Sequence, residues 1–236
     1  MTDTVVLPII IGGATGRFGR LLLEMAKEDP AIKVVGLVSS SAPLTKCART
    51  GAVVIDFTVP SATASHARLS AERGMPMVIA TTGLGSAEVA AIRAASEKVP
   101  IVQTPNTSLG ITLLTQWVRE AARRLGPQYQ VMIEETHHLH KKDAPSGTAL
   151  KLRNAISEAA GCGEERITVT SRREGDTVGT HAVAFCGPHD TITLIHQASD
   201  RRLFCEGALR AAKWVVRHSP GLYTMEDVLQ TERGAH

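Results

Sequence analysis

A run of isoleucines leads directly into a glycine-rich turn in Ile9-Ile10-Ile11-Gly12-Gly13-Ala14-Thr15-Gly16-Arg17-Phe18-Gly19. The run predicts a strand over Ile9–Gly12, and helical spacing of apolar residues predicts a helix over Phe18–Glu28. The glycines follow a G-x-x-G-x-x-G spacing, a variant of the dinucleotide fingerprint, which lets a pyrophosphate approach the backbone at a helix N-terminus. Such glycines can also be simple packing devices, so the turn alone is a weak signal and its context decides.

Strands and helices continue to alternate through the first hundred residues. Further strands are predicted at Val34–Val38, Val53–Phe57, Met77–Ala80 and Ile101–Gln103, with helices at Ala62–Arg73 and, behind a Ser86 cap, Ala87–Lys98. This alternation indicates βαβ units and a parallel sheet covered on both faces, which favours dinucleotide binding by the glycine turn. Because proline cannot donate to a ladder, the first strand is expected to start at or after Pro8.

The second half of the chain has a different order of predicted strands and helices. Ser108 is expected to cap a helix over Leu109–Leu125 that ends at Gly126-Pro127. Four longer β-like stretches and two helices follow, at Tyr129–Glu135, Ala149–Ala160, Ile167–Arg172, Thr180–Phe185, Thr191–Ala198 and Leu203–Arg217. We therefore predict an α/β chain with an N-terminal Rossmann-like dinucleotide-binding domain, residues 1–108 and 201–236, and an α+β domain with an open mixed sheet, residues 109–200.

Composition and charge exclude several classes of protein. The chain of 236 residues is 43% hydrophobic and 21% charged, and its net charge of +3 is too small to indicate nucleic acid as a partner. No apolar run approaches the roughly 18 residues of a membrane span, so no membrane partner is expected. The apolar start lacks a basic leader and is interpreted as a strand, and the four cysteines form no CxxC pair. We predict a cytoplasmic protein with free thiols.

The end of the second predicted strand bears on the choice of cofactor. An acidic residue is expected there to hold the adenosine ribose, but the sequence is Val38-Ser39-Ser40-Ser41. The three hydroxyls, with Lys46 or Arg49 nearby, would accept a 2′-phosphate. A polar loop that touches nothing is an equally good interpretation, and the sequence leaves both open.

The densest cluster of ionisable side chains lies in residues 134–148, Glu134-Glu135-Thr136-His137-His138-Leu139-His140-Lys141-Lys142-Asp143-Ala144-Pro145-Ser146-Gly147-Thr148. Histidine suits acid–base work near neutral pH, lysine supplies a charge or a proton, and a helix start at the Ser-Gly-Thr end would bind an anion. A solvated charged loop is the ordinary alternative for such a run. His-His-x-His lacks a standard ligand spacing, so no metal site is predicted.

This segment, as His-His-x-x-Lys-x-Asp-Ala-Pro-Ser-Gly-Thr, closely resembles the signature of the 4-hydroxy-tetrahydrodipicolinate (dihydrodipicolinate) reductase family. Segments throughout the chain resemble the same family in its order: Gly13–Gly19, Val54–Thr58, Ala80–Gly83, Pro105–Gly110, Ser171–Gly175, Val178–His181 and Gly207–Leu229. The resemblance implies reduction of the cyclic imine 4-hydroxy-tetrahydrodipicolinate to tetrahydrodipicolinate in lysine and diaminopimelate biosynthesis, with NADPH and/or NADH. It also implies a homotetramer built through the sheet of the second domain.

The resemblance assigns roles residue by residue. It implies His137 as the acid–base histidine, Lys141 as the proton donor, and His138, Lys141, Ser146, Gly147 and Thr148 as ligands of a small anionic dicarboxylate. For the cofactor it implies Gly13, Ala14, Thr15, Gly16, Arg17, Phe18, Ser39, Ala80, Thr81, Thr82, Thr104, Pro105, Asn106 and Thr107. Ser39, Ala80 and Thr107 depart from the residues common in the family.

The sequence also leaves an alternative function open and predicts the surroundings of several other residues. A non-catalytic NAD(P)-binding redox sensor on the same scaffold is the alternative function, although it has no need of His137 and Lys141. His66 is expected at the surface or at a helix end, and Arg172 and Arg173 are expected to be solvated charges. His181 is a weaker candidate for a position near the substrate.

Overall fold

The structure, a computed structural model, describes residues 6–230. Within them the chain forms two compact units. One unit runs up to Thr107 and resumes at Arg202, and the other comprises Ser108–Arg201.

The first unit begins with alternating strands and helices, apart from one pair of strands, the second and the third, that has no α-helix between its members. They are β1 (Leu7–Gly12), α1 (Arg17–Glu28), β2 (Ile32–Val38), β3 (Val53–Asp56), α2 (Pro60–Arg73), β4 (Met77–Ile79), α3 (Ser86–Ser96) and β5 (Pro100–Gln103). The second unit contains α4 (Leu109–Leu125), β6 (Gln130–His137), α5 (Gly147–Ala160), β7 (Ile167–Arg173), β8 (Gly179–Cys186) and β9 (Thr191–Ala198). The chain then returns to the first unit with α6 (Arg202–Val215), β10 (Gly221–Tyr223) and α7 (Met225–Gln230).

The first unit is built on a parallel six-stranded sheet in the order β10-β5-β4-β3-β1-β2. Consecutive residues Ile9, Ile10 and Ile11 are all 0% exposed, which requires cover on both faces of the sheet. Helices α1 and α6 pack together, as do α2 and α3. The predicted Rossmann-like sheet is confirmed.

One row of residues crosses this sheet at the carboxyl ends of its strands. Val38 pairs with Gly12, Gly12 with Asp56, Asp56 with Ile79 and Ile79 with Gln103. The loops that leave these strands therefore begin along one edge, where open parallel sheets bind their ligands.

The second unit is a mixed sheet in the order β7-β6-β8-β9, with β6 parallel to β7 and antiparallel to β8. Helices α4 and α5 cover one face with a core that includes Leu114, Val118 and Leu152 against Ile133 and Val183. The opposite face exposes half of Met132 and 64% of Ile195. The predicted open mixed sheet is confirmed.

Several boundaries differ from the predictions. Strand β1 begins at Leu7, because β3 pairs with β1 only from Ile9 and leaves no partner for a donor at Pro8. Ser86 is the first residue of α3, and Gly85 is its cap. Strand β10 was not predicted, since its three residues carry no periodic pattern.

Candidate active site

The glycine turn after β1 forms a cradle of bare backbone. Gly13 has φ of 77°, and a Cβ there would lie 2.5 Å from the Phe57 carbonyl oxygen. Gly19 has equally little room, because its Cβ would clash with the Gly13 carbonyl oxygen. Helix α1 starts without a side-chain cap, so its first N–H groups remain for an anion. The cradle therefore fits the pyrophosphate of a dinucleotide.

The other predicted cofactor residues follow strands of the same edge. Ser39 follows β2, Ala80–Thr82 follow β4, and Thr104–Thr107 follow β5. The Ser39 and Ser41 hydroxyl oxygens are 3.2 Å apart at the surface. The structure thus brings the glycine turn and these three segments to one edge of the sheet, as a shared cofactor requires.

Two of the cofactor candidates have hydroxyls that the protein itself uses. Thr104 donates to the Asn106 carbonyl oxygen at 2.7 Å, which shapes the turn after β5. Thr107 is 2% exposed and donates to the Phe204 carbonyl oxygen at 2.7 Å. The side chain of Thr107 therefore anchors α6.

A buried carboxylate supports this edge and was not predicted. Asp56 is 0% exposed and accepts hydrogen bonds from the Thr58 backbone N–H at 2.9 Å and from His66 Nδ1 at 3.2 Å. The Thr81 hydroxyl donates to Asp56 Oδ1 at 3.4 Å and accepts from the Thr63 hydroxyl at 2.9 Å. His66 lies in the middle of α2 and is buried, so the expectation of a surface or helix-end position is wrong. The Asp56 carboxylate gives the imidazole a partner inside the unit.

The second unit holds the predicted acid–base groups. Ile133, Glu135 and His137 alternate along β6 and share its covered face, because successive strand residues point to opposite sides. Glu135 is 0% exposed, and its Oε2 contacts His137 Nδ1. Its Oε1 accepts from Arg173 Nη2 at 3.0 Å and from the Ser146 backbone N–H at 3.2 Å. Arg173 is therefore not the solvated charge expected from the sequence.

Burial and charge set the protonation states of this cluster. Burial raises the pKa of Glu135, but hydrogen bonds from Arg173, Ser171 and His137 outweigh it and lower the pKa below its usual value. Burial lowers the pKa of His137 and outweighs the opposing effect of Glu135. An ionised carboxylate only accepts, so the contact with Glu135 favours the neutral form of His137 that carries its proton on Nδ1.

His181 packs edge-on against His137, with ring centroids 5.1 Å apart. Burial, aided by His137, lowers the pKa of His181 to about 3. Its Nε2 lies 3.1 Å from the Ser146 hydroxyl. His181 is thus a neutral imidazole that packs against His137 and contacts Ser146 at one side of the cluster.

Glu135, His137 and His181 place one potential metal-binding atom each within 4.8 Å. Both oxygens of Glu135 already accept hydrogen bonds from cationic or N–H donors. A cation would have to displace these donors beside the Arg173 guanidinium, so the donor set does not fit a resident metal.

Lys141 lies on the loop after β6, and its Nζ is 2.8 Å from Asp143 Oδ1. Its side chain is 21% exposed, which leaves the ammonium access to a ligand. The loop ends at Ser146, whose hydroxyl accepts from the Ala149 N–H at 3.2 Å and caps α5. Gly147 and Thr148 form the first turn of this helix, as predicted, where N–H groups face outward along the axis.

These groups can bind an anion and move a proton. The α5 N-terminus and the Lys141 ammonium attract carboxylates, and Lys141 and His137 can each hold a transferable proton. Comparison with known proteins agrees with this chemistry. Family models described as dihydrodipicolinate reductase, N-terminus and C-terminus, match residues 7–107 and 110–229.

The chain belongs to the dihydrodipicolinate reductase family.

Relatives in this family align over nearly the whole chain. It is 39% identical to the 4-hydroxy-tetrahydrodipicolinate reductase of Methanocorpusculum labreanum, covering 95% of this chain and 99% of the relative. It is 40% identical to the enzyme of the same name from Thiobacillus denitrificans, covering 94% and 97%. A dipicolinate-bound dihydrodipicolinate reductase from Paenisporosarcina sp. TG-14 shares the fold, with a TM-score of 0.79 and 22% identity over 94% of this chain and 99% of that chain.

The structure adds residues to those that the family signature suggests. Glu135 contacts His137 and accepts from Arg173, and Asp56, which also contacts His66, accepts from Thr81. A period-two interpretation of β6 would have placed Glu135 beside His137. No sequence signal could have placed Arg173, because its position depends on the register between β6 and β7.

Proposed function

We propose that this chain reduces 4-hydroxy-tetrahydrodipicolinate to tetrahydrodipicolinate with a reduced nicotinamide cofactor, using Lys141 and His137 as its acid–base groups. This is the reductase reaction of its family, in lysine and diaminopimelate biosynthesis. The observation that carries the proposal is the grouping of Lys141, the Glu135-held His137 and the α5 N-terminus in the second unit of a chain whose first unit holds a dinucleotide cradle.

The first unit, for which the sequence predicts residues 1–108 and 201–236, binds the cofactor. Gly13 through Phe18 hold the pyrophosphate, Ala80–Thr82 the nicotinamide ribose and Thr104–Thr107 the nicotinamide end. Loss of the substrate's 4-hydroxyl group as water gives a conjugated imine, and the bound cofactor would supply a hydride to it. Asp56 and Thr63 keep Thr81 in place by buried hydrogen bonds.

The second unit, residues 109–200 in our assignment, binds the substrate and completes the reaction. His138, Gly147 and Thr148, together with Ser146, hold the carboxylates of a small dicarboxylate. The enamine left after reduction needs a proton, and the Lys141 ammonium donates it. His137 is kept neutral by burial, with Lys141 and Arg173 adding to that effect, so that it can assist the proton transfer at Nε2.

The residue after β2 leads us to propose that NADPH is used at least as well as NADH. Ser39 is half-buried beside Ser41 and offers a hydroxyl where an NAD-specific enzyme offers a carboxylate. Lys46 and Arg49 are both exposed in the segment that follows. A 2′-phosphate would therefore meet no like charge from residue 39.

We propose a homotetramer assembled through the open face of the second sheet. Met132 and Ile195 are large apolar side chains that this face exposes, and Ala182 and Ala184 lie on it between them. An apolar sheet face without helical cover marks an interaction site, and a second copy would cover it. Ile195→Arg should lower the mass measured by light scattering, while an unchanged mass would contradict this interface.

Among residues 6–230, no helix is long and apolar enough to cross a membrane. The four cysteines, Cys47, Cys162, Cys186 and Cys205, are free thiols. Free thiols suit a reducing compartment, which supports the cytoplasm as the site of action.

A coupled assay tests the proposed function. The unstable substrate is generated in place by its synthase, and loss of the reduced nicotinamide is followed by absorbance. Turnover that requires both the synthase and this chain is the expected result. Cofactor binding without turnover would contradict the proposal and favour a redox sensor.

A further inference from the structure

Two neighbouring ion pairs join β6 to β7 on opposite faces of the sheet. Glu134 and Arg172 meet on the open face, where their side chains are 48% and 63% exposed. Glu135 and Arg173 meet on the covered face, where theirs are 0% and 19% exposed. The residue types and strands are the same, so the two pairs differ chiefly in what surrounds them.

The Arg173 guanidinium also binds the loop that carries Lys141. Its Nη2 donates to the Asp143 carbonyl oxygen at 2.5 Å, and its Nε donates to the Lys141 carbonyl oxygen at 3.4 Å. One planar guanidinium therefore contacts a buried carboxylate and two loop carbonyls. An ammonium group cannot span these acceptors, because it is a point charge without a fixed fork.

The Glu135 carboxylate extends the same contacts to the remaining groups. It holds the Nδ1 edge of His137 and accepts from the backbone N–H of Ser146, the cap of α5. His137, the Lys141 loop and the start of α5 are thus joined through one carboxylate and one guanidinium.

We propose that Arg173 and Glu135 are a positioning pair that fixes the Nδ1–H tautomer of His137 and the backbone on which Lys141 and Ser146 stand. Its effect on turnover rests on the proposed function, whereas its effect on the tautomer does not. The ionised carboxylate requires a proton on Nδ1, so Nε2 is the atom left to exchange a proton.

Strand β8 leaves space beside that atom. Gly179 faces His137, and a Cβ at Gly179 would lie 2.9 Å from His137 Nε2. The Nδ1 edge of the ring is therefore held by Glu135, while the Nε2 edge borders a residue without a side chain. This arrangement suits an imidazole that is oriented through Nδ1 and exchanges its proton through Nε2.

Turnover of matched variants tests the pair. Glu135→Gln and Arg173→Lys should each lower kcat by about 10²-fold or more, the range for losing a positioned acid–base group. Glu120→Gln and Arg124→Lys alter an exposed Glu–Arg pair on α4, away from the open sheet face, and should leave kcat unchanged. Affinity for NADPH should stay the same in all four variants. Wild-type kcat in both buried variants, or equal loss in the exposed ones, would overturn the proposal.

Nitrogen NMR of the full-length protein tests the tautomer without turnover. Wild-type His137 should carry its proton on Nδ1, and Glu135→Gln should move it to Nε2, because the amide N–H₂ would then face the ring. A proton on Nε2 in the wild type would overturn the proposal even if the variants failed to fold. The NMR result stands if the wild type does not turn over the substrate, so failure of the proposed function is distinguishable from failure of the positioning pair.

Discussion

Replacing Lys141 with alanine should separate catalysis from stability. Its ammonium pairs with Asp143 at 2.8 Å, but the Asp143 side chain is 57% exposed. Such exposed pairs contribute about 0–1 kcal/mol to folding. Loss of a positioned general acid costs roughly 10²–10⁴-fold in rate, or about 3–5 kcal/mol of activation free energy. The loss in kcat should therefore far exceed the loss in stability.

The assay is synthase-coupled oxidation of NADPH, with unfolding followed by circular dichroism. His137→Ala should lower kcat by the same order. Lys142→Ala and His140→Ala remove exposed neighbours on the same loop and should be close to the wild type. If Lys141→Ala keeps full kcat, or His140→Ala is as damaging, the assignment of the proton donor is refuted.

Three further changes have definite expected results. Ser39→Asp should raise KM for NADPH much more than KM for NADH, since the carboxylate repels a 2′-phosphate; parallel changes would show that this loop does not meet the cofactor. Gly13→Ala should weaken NADPH binding in a titration, because its Cβ would lie 2.5 Å from the Phe57 oxygen, whereas Gly51→Ala has a similar φ of 83° with open space and should only lower stability. The pKa of His181 is about 3 in the folded protein, against an ordinary value of 6.5. Below pH 6.5 the unfolded chain therefore binds a proton at this position that the folded chain does not, and the native state loses stability as the pH falls. His181→Gln removes this effect, so its melting temperature should fall less on acidification than that of the wild type, and equal falls would contradict this.

The sequence predicted the fold well where local patterns carried the information. The isoleucine run, the glycine turn and the alternation of strands with helices decide a doubly covered parallel sheet, because both faces of β1 must be buried. The cap at Ser108 and the stop at Gly126 were predicted from side-chain chemistry alone, and both are confirmed. Short β10 could not be predicted, because its pairing with β5 is what makes it a strand.

The candidate site was predictable only in part for a related reason. The residues from His137 to Thr148 are contiguous in the sequence, so a family signature could identify them as site residues. Arg173 of β7 contacts Glu135 of the adjacent strand β6, and His66 of α2 contacts Asp56 at the end of β3. Both contacts therefore depend on how these elements pack together. Without that register, a buried arginine or histidine has the same local sequence as an exposed one.

The interruption of the first unit has a consequence for synthesis on the ribosome. Strand β5 acquires its neighbour β10 only at Gly221–Tyr223, and Thr107 packs against Gly207 of α6. While the chain is being made, strands β1 to β5 therefore lack the cover of α6, and β5 is an edge strand without its neighbour β10. The second unit is contiguous, so all of its strands emerge before α6 does. Once the chain has emerged from the ribosome as far as Arg201, it holds a complete second unit and an unfinished first one, and an unfinished sheet edge is the kind of surface that chaperones shield.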